Sequence, residues 1–283
     1  MKFHEKPTTF IGNVKIKVQN LERSIEFYRD ILGFDILERT GSIVKLTTDG
    51  KRNFLTLEQP EDVTPKERGT TGLYHFAILL PSRSHLANIV IHFVKNNIQF
   101  GSADHLVSEA LYFKDPDGNE IEIYRDRHPS EWNWRGEEVE MATIPLDFED
   151  LLKNATPDKS WSKMPENTLM GHIHLHVSEL ENTEEFYVKG LGMDVVNRFG
   201  SQALFLSYGK YHHHVGVNTW NGVGAPAPSE TSVGLKSYTL VFDNEDVRAE
   251  TITNLKNIGA EVKEENGNWV TYDPSGNKIE LAV

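Results

Sequence analysis

One short pattern recurs four times along this chain, and that repetition limits its fold more than any single motif does. The copies open at Asn13 (NVKIKVQNLERSIEFYRDILGF), His75 (HFAILLPSRSHLANIVIHFVKNNI), His172 (HIHLHVSELENTEEFYVKGLGM) and Ser237 (SYTLVFDNEDVRAETITNLKNIGA). Each begins with alternating apolar residues, as a strand does, and passes through a polar link into a helical pattern. In the first copy Leu21, Ile25, Tyr28 and Leu32 recur at helical spacing, and Gly33 closes the helix. Three short segments of strand character follow, such as SIVKLTTDG and NFLTLEQP in the first copy and SQALFLSYG and YHHHVGVNTW in the third. The unit is therefore βαβββ. The second and fourth copies finish with DPDGNEIEIY and DPSGNKIELAV, where Asp-Pro-x-Gly is a structural turn between two strands.

The predicted fold class is α+β, built from four βαβββ modules over about residues 10–59, 72–128, 168–220 and 234–283. Residues 1–128 make an N-terminal double module and residues 168–283 a C-terminal one. Between them, residues 129–167 carry Pro, Trp and acidic residues and read as a linker with one short helix.

Composition narrows the chemistry. A net charge of −13 and the lack of a Lys/Arg stripe argue against a nucleic-acid partner. The start MKFHEKPTTF has no apolar signal region and no run of about 18 apolar residues occurs, so the expected location is cytoplasmic, without membrane insertion. With no cysteine in the chain, any metal must be held by histidine and carboxylate. An acidic surface with edge strands makes a homo-oligomer the default expectation.

The HxxLxV-type lead strands and DPxGNxIEL closing strands resemble the vicinal oxygen chelate superfamily, which includes glyoxalase I, extradiol dioxygenases and bleomycin-resistance proteins. The resemblance spans nearly the whole chain. GLYHFAILLPSR, SEALYFKDPDGNEIEIY, GHIHLHVSEL and ALFLSYGKYHHHVGVNTW are most similar to the four-module catechol 2,3-dioxygenase branch. It implies two curled mixed sheets, each formed by a pair of modules around a metal that is fed by lead and closing strands.

At the lead-strand ligand position the four modules offer Asn13, His75, His172 and Ser237, and the closing-strand carboxylate position offers Glu122 and Glu280. A dioxygenase of this superfamily uses two His and one Glu on one face of the metal, with open positions for two substrate oxygens and O2. The usual pairing of module one with two and three with four completes neither set. Pairing module two with module three brings together His75, Glu122 and His172. The resemblance also places a substrate-contacting tyrosine ten residues before the carboxylate; that residue is Tyr112 for Glu122 and Val270 for Glu280. Taken singly, each of these side chains is an ordinary strand residue, and only their coincidence at matching positions carries the metal reading.

Other histidines take roles by the same resemblance. The acid–base histidine falls on His213 of KYHHHVGVNTW, or on His214 if the register slips by one, with at least one of the three histidines facing solvent. His174, on the face of His172, is expected beside the substrate, and His105, ahead of Tyr112 on one hairpin, and His214 are further substrate-contact candidates. His176 is expected at a polar strand end on the surface, and His85, His92 and His128 belong to no constellation. The implied activity is extradiol cleavage of a catechol by Fe(II), with Mn(II) accepting the same donors, and with a small aromatic diol and O2 as reactants. Two alternatives stay open: a glyoxalase-like metal-dependent lyase or isomerase, and a non-catalytic small-molecule-binding member of the fold.

Overall fold

The computed structural model describes residues 2–156 and 161–283; residues 157–160 of the expected linker lie outside them. Four lead strands, Phe10–Lys17, Gly72–Leu79, Leu169–His176 and Gly234–Val241, organise everything else. In each module the lead strand pairs in parallel with that module's closing strand: Leu55–Glu58, Glu120–Asp126, Val215–Asn218 and Lys278–Ala282. Two further strands continue each module outward as antiparallel neighbours.

The modules join through their lead strands into two curled, mixed eight-stranded sheets. One sheet joins the second and third modules, with Gly72–Leu79 antiparallel to Leu169–His176 and His75 opposite His174. The other joins the first and fourth, with Lys15 opposite Ser237. The pairing of modules that the histidines favoured is therefore the one found, and neither sheet combines the first module with the second.

Alternation along the lead strands decides which side chains face the interior. Ile173, Leu175 and Val177 enter one continuous apolar core together with Val14, Ile16, Phe76 and Ile78, while His172, His174 and His176 point to the opposite, concave side. A slip of one residue would exchange imidazoles for Ile and Leu, forfeiting about 1.5–3 kcal/mol for each aliphatic side chain exposed. The register is thus set by hydrophobic burial, and the polar face follows from it.

Helices alternate in kind along the chain. Leu21–Glu26, capped by Asn20, and Glu181–Glu185 each run into a wider π-turn, Phe27–Ile31 and Phe186–Gly190. The second and fourth modules instead carry 13-residue helices, Arg83–Lys95 and Glu245–Asn257, capped by Ser82 and Asn244. The π-turns present Tyr28 and Tyr187, whose hydroxyls donate to Asp115 (3.1 Å) and Asp273 (3.2 Å) in the Asp-Pro-x-Gly turns. Each of these bonds runs from one sheet to the other.

Between the halves lie a short 3-10 turn (Pro129–Glu131), a two-stranded hairpin (Trp134–Arg135 with Glu138–Val139) and one helix, Phe148–Leu152. Trp132 anchors this stretch by donating its indole N–H to the carbonyls of Val107 and Arg127. Among the described residues no helix is long and apolar enough to cross a membrane.

Candidate metal centre

His75 and His172 reach the concave side of the second–third sheet from adjacent antiparallel strands, and Glu122 comes from the closing strand beside His75. A bulge at Gly171 in the lead strand of the third module sets the aim of His172. Glycine is required there, because a Cβ would lie 1.9 Å from the Tyr124 hydroxyl.

Nε2 of His75 and Nε2 of His172 each lie 3.1 Å from Glu122 Oε2, and 3.4 Å from one another. Ligands on one face of an octahedral ion, each about 2.1 Å from it, are separated by about 3.0 Å. The three donors therefore fit a divalent cation held on one face. All three side chains are buried, and this trio is the metal-capable cluster found among the described residues. Burial would raise the Glu122 carboxyl, but His172 and His75 outweigh it and hold the group well below the usual carboxylate range. Burial pushes His172 down to about 4, so its lone pair is free at neutral pH.

A cavity of about 440 Å³ opens onto this cluster. Tyr112, His105, His174 and His213 line it together with His75 and Glu122, and Phe199, Phe205, Trp220 and Met141 supply apolar walls. No Lys or Arg is among its lining residues. The stretch between the halves contributes Met141, Ala142 and Thr143, so one wall comes from outside the repeats.

Hydrogen bonds hold several of these groups in place. His105 Nδ1 can only donate to the carbonyl of Ala142 (2.8 Å), which leaves Nε2 to accept from the Tyr112 hydroxyl at 2.6 Å. Burial, then the Glu122 charge, raises Tyr112 well above its ordinary value and keeps it protonated. His174 Nε2 accepts from the Asn218 amide at 3.0 Å, while Asn218 Oδ1 accepts from His176 Nδ1 at 2.8 Å. Opposite His174, Gly216 leaves room for the imidazole; a Cβ there would meet the ring at 2.9 Å.

Three expectations need correction. His214, the register alternative to His213 and a substrate-contact candidate, is turned away from the cavity: Nε2 donates to the Phe3 carbonyl (2.9 Å) and Nδ1 accepts from the Tyr208 amide (3.2 Å). None of His212, His213 and His214 faces solvent, because residues 211–214 form a buried segment ahead of the closing strand and Phe3 and His4 cover it. His176 is half-buried, not a surface group, since it holds Asn218. The residues that sequence reasoning missed are Asp126, Tyr124, Tyr211 and Asn218. Alternation could have found two of them, as Glu122, Tyr124 and Asp126 share one face of a strand.

The profile of the Glyoxalase/Bleomycin resistance protein/Dioxygenase superfamily matches residues 10–123 and 169–281. The chain belongs to that superfamily. Within it, the chain is 42% identical over 279 residues to a catechol-2,3-dioxygenase of Bacillus subtilis (strain 168), covering 97% of this chain and 98% of that protein. Similarity to biphenyl-2,3-diol 1,2-dioxygenase 3 of Rhodococcus globerulus is 28% and covers 51% of this chain and 80% of that one. Solved structures of the superfamily share the fold. A putative dioxygenase from Bacillus subtilis matches with a TM-score of 0.66 at 14% identity, covering 96% of this chain and 84% of that one. Glyoxalase I from Zea mays matches at 0.60 and 16%, covering 97% and 92%.

Proposed function

We propose that this protein is an extradiol ring-cleaving dioxygenase that opens catechol or a substituted catechol with O2, using Fe(II) held by His75, Glu122 and His172. The observation that carries the reading is the buried trio of His75, Glu122 and His172 beside one cavity, whose walls include His75 and Glu122 together with Tyr112, His105 and His213. The name of the Bacillus relative, alike over nearly its full length, supports the same chemistry.

When bound, Fe(II) supplies a site where the diol and O2 meet and removes the spin barrier between them. The protein's own groups do the rest. His213, held neutral by burial, takes a proton from a diol hydroxyl at an imidazole nitrogen and returns it as the ring opens. Tyr112, kept protonated and held by His105, contacts a ring oxygen. His174, held by Asn218, orients the substrate beside His75. Phe199, Phe205, Trp220 and Met141 exclude water from the ring. A wall without Lys or Arg suits an uncharged catechol better than one bearing a carboxylate.

Anaerobic reconstitution with Fe(II), followed by catechol and air, tests the reading; a yellow ring-cleavage product is expected. No colour with catechol or with alkyl- or halo-catechols, despite stoichiometric iron, overturns it. Turnover of methylglyoxal with a thiol in its place assigns the site to a lyase, and metal content unaffected by His172→Ala assigns the protein to a binding role.

A further inference from the structure

Behind His213 runs a chain of hydrogen bonds that leads away from the cavity and that the metal trio does not use. Asp126 sits four residues beyond Glu122 on the same face of the closing strand Glu120–Asp126. Its Oδ1 lies 2.7 Å from His212 Nε2, and its Oδ2 accepts from the Tyr211 hydroxyl at 2.9 Å. His212 Nδ1 is in turn 2.8 Å from His213 Nδ1. Tyr211 is itself held by the Tyr124 hydroxyl at 2.8 Å, so the carboxylate is fixed from both sides.

With both imidazoles neutral, donor and acceptor rules leave one arrangement of protons along this chain. A carboxylate only accepts, so His212 carries its proton on Nε2. A neutral imidazole has one proton, so His212 Nδ1 is a lone pair. The hydrogen bond to it must then be donated by His213 Nδ1. That leaves His213 Nε2, on the opposite edge of the ring and toward the cavity, as a bare acceptor.

We propose that Asp126 and His212 are positioning residues for His213: the carboxylate fixes the tautomer of His212, and His212 fixes the tautomer and ring orientation that present His213 Nε2 to a diol hydroxyl. The inference rests on the dioxygenase reading for the identity of the substrate. When the diol O–H bond breaks and the His213 Nε2–H bond forms, the imidazolium keeps its Nδ1–H bond to His212, whose own proton stays on Nε2, donated to Asp126. The positive charge is thereby faced, through one neutral ring, by a fixed negative one.

The other sheet supplies an internal control. From the strand registers, Arg52 and Asn53 stand where His212 and His213 stand here, and Arg52 pairs with Asp49 instead. The relay is present on the side that has the metal-capable trio and absent from the side that lacks it.

Fe(II)-reconstituted Asp126→Asn and His212→Phe are tested beside the wild type, the second keeping an aromatic ring among Tyr211, Trp132 and His213. We expect kcat for catechol to fall by about 10- to 100-fold with KM changed less than about threefold, iron content unchanged, and partial rescue by Asp126→Glu. In Zn(II)-loaded, diamagnetic protein, 15N spectra of the imidazoles should show His213 protonated on Nδ1 in the wild type and a mixture of tautomers in His212→Phe. A wild-type His213 protonated on Nε2, unchanged kcat in both variants, or a loss of kcat matched by loss of iron overturns the proposal. If the wild type cleaves no catechol, the dioxygenase reading fails, and the 15N tautomer alone decides whether the relay exists.

Discussion

The two sheets are the same construction with different contents at the centre. In the second–third sheet, His172, His174, His75 and Glu122 meet across the paired lead strands. In the first–fourth sheet the corresponding residues are Asn13, Lys15, Ser237 and Glu280. There the Lys15 ammonium lies 2.7 and 2.9 Å from the two oxygens of Glu280, and Ser237 donates to the same carboxylate at 2.8 Å. A carboxylate on the closing strand thus has close partners on both sides of the molecule, a lysine and a serine in one sheet and two histidines in the other. Val270 replaces Tyr112, and Thr56 replaces Gly216. One copy of the architecture closes its centre with an internal ion pair, and the other sets its centre beside a cavity.

Exchanging the two glutamates tests this contrast most severely. Glu122→Gln should lower metal affinity by more than about 100-fold, beyond what loss of an outer hydrogen-bond partner costs, whereas Glu280→Gln should keep full metal content; elemental analysis after dialysis reads both. The reverse result would put the metal in the first–fourth sheet.

Next in size is the contrast between Gly216 and Thr56. Gly216→Ala drives a methyl into the His174 ring and should cost up to about 100-fold in kcat/KM, the order expected for a displacement near 1 Å at a reacting site. Thr56→Ala removes the hydrogen bonds its hydroxyl exchanges with the Asn53 amide (2.9 and 3.3 Å) and should leave steady-state rates within about twofold.

Lys15→Met leaves the largely buried Glu280 with Ser237 alone. A loss of about 2 kcal/mol in urea unfolding is expected, below the roughly 3–5 kcal/mol of a fully buried pair because both side chains keep some solvent. Metal content should not change. Lys15→Met combined with Glu280→Leu should recover most of the loss, and failure to recover would mean the pair is not what holds that centre.

The smallest effect concerns acid. None of the twelve histidines lies in the first or fourth module. Burial pushes His4 down to about 4, and burial followed by the neighbouring His4 lowers His214 well below its ordinary value. The unfolded chain takes up these protons below about pH 6.5 while the folded one does not, so stability is complete above that pH and falls toward pH 4. At pH 5.5 each such histidine should cost about 1 kcal/mol. His4→Gln should flatten the dependence of the urea midpoint on pH between 7 and 5.5; an unchanged slope would show that His4 takes no part.

Much of this was legible in the sequence because the signals are local and periodic. The repeat gave the βαβββ unit, alternation in HIHLHV gave the polar face, and the uneven supply of histidine and carboxylate among the modules pointed to the pairing of the second with the third. What escaped was set by contacts between distant segments. That His213 faces the cavity while His214 does not depends on a buried turn covered by Phe3 and His4, which no strand periodicity describes. His176 looked like a strand end, yet it steadies Asn218 and, through it, His174. The part of Met141–Thr143 in the cavity wall was hidden for the same reason, because a segment without repeat or periodicity carries no mark of where it will dock.

The lead strands have a consequence for the newborn chain. Gly72–Leu79 must wait for Leu169–His176, and Phe10–Lys17 must wait for Gly234–Val241, before either has its antiparallel neighbour. A ribosome that has delivered only the first two modules therefore presents two apolar strands with bare edges, a ready template for pairing with other chains. Slow translation through the middle of the message would lengthen that exposure, and the yield of soluble protein would depend on how quickly the second half is made.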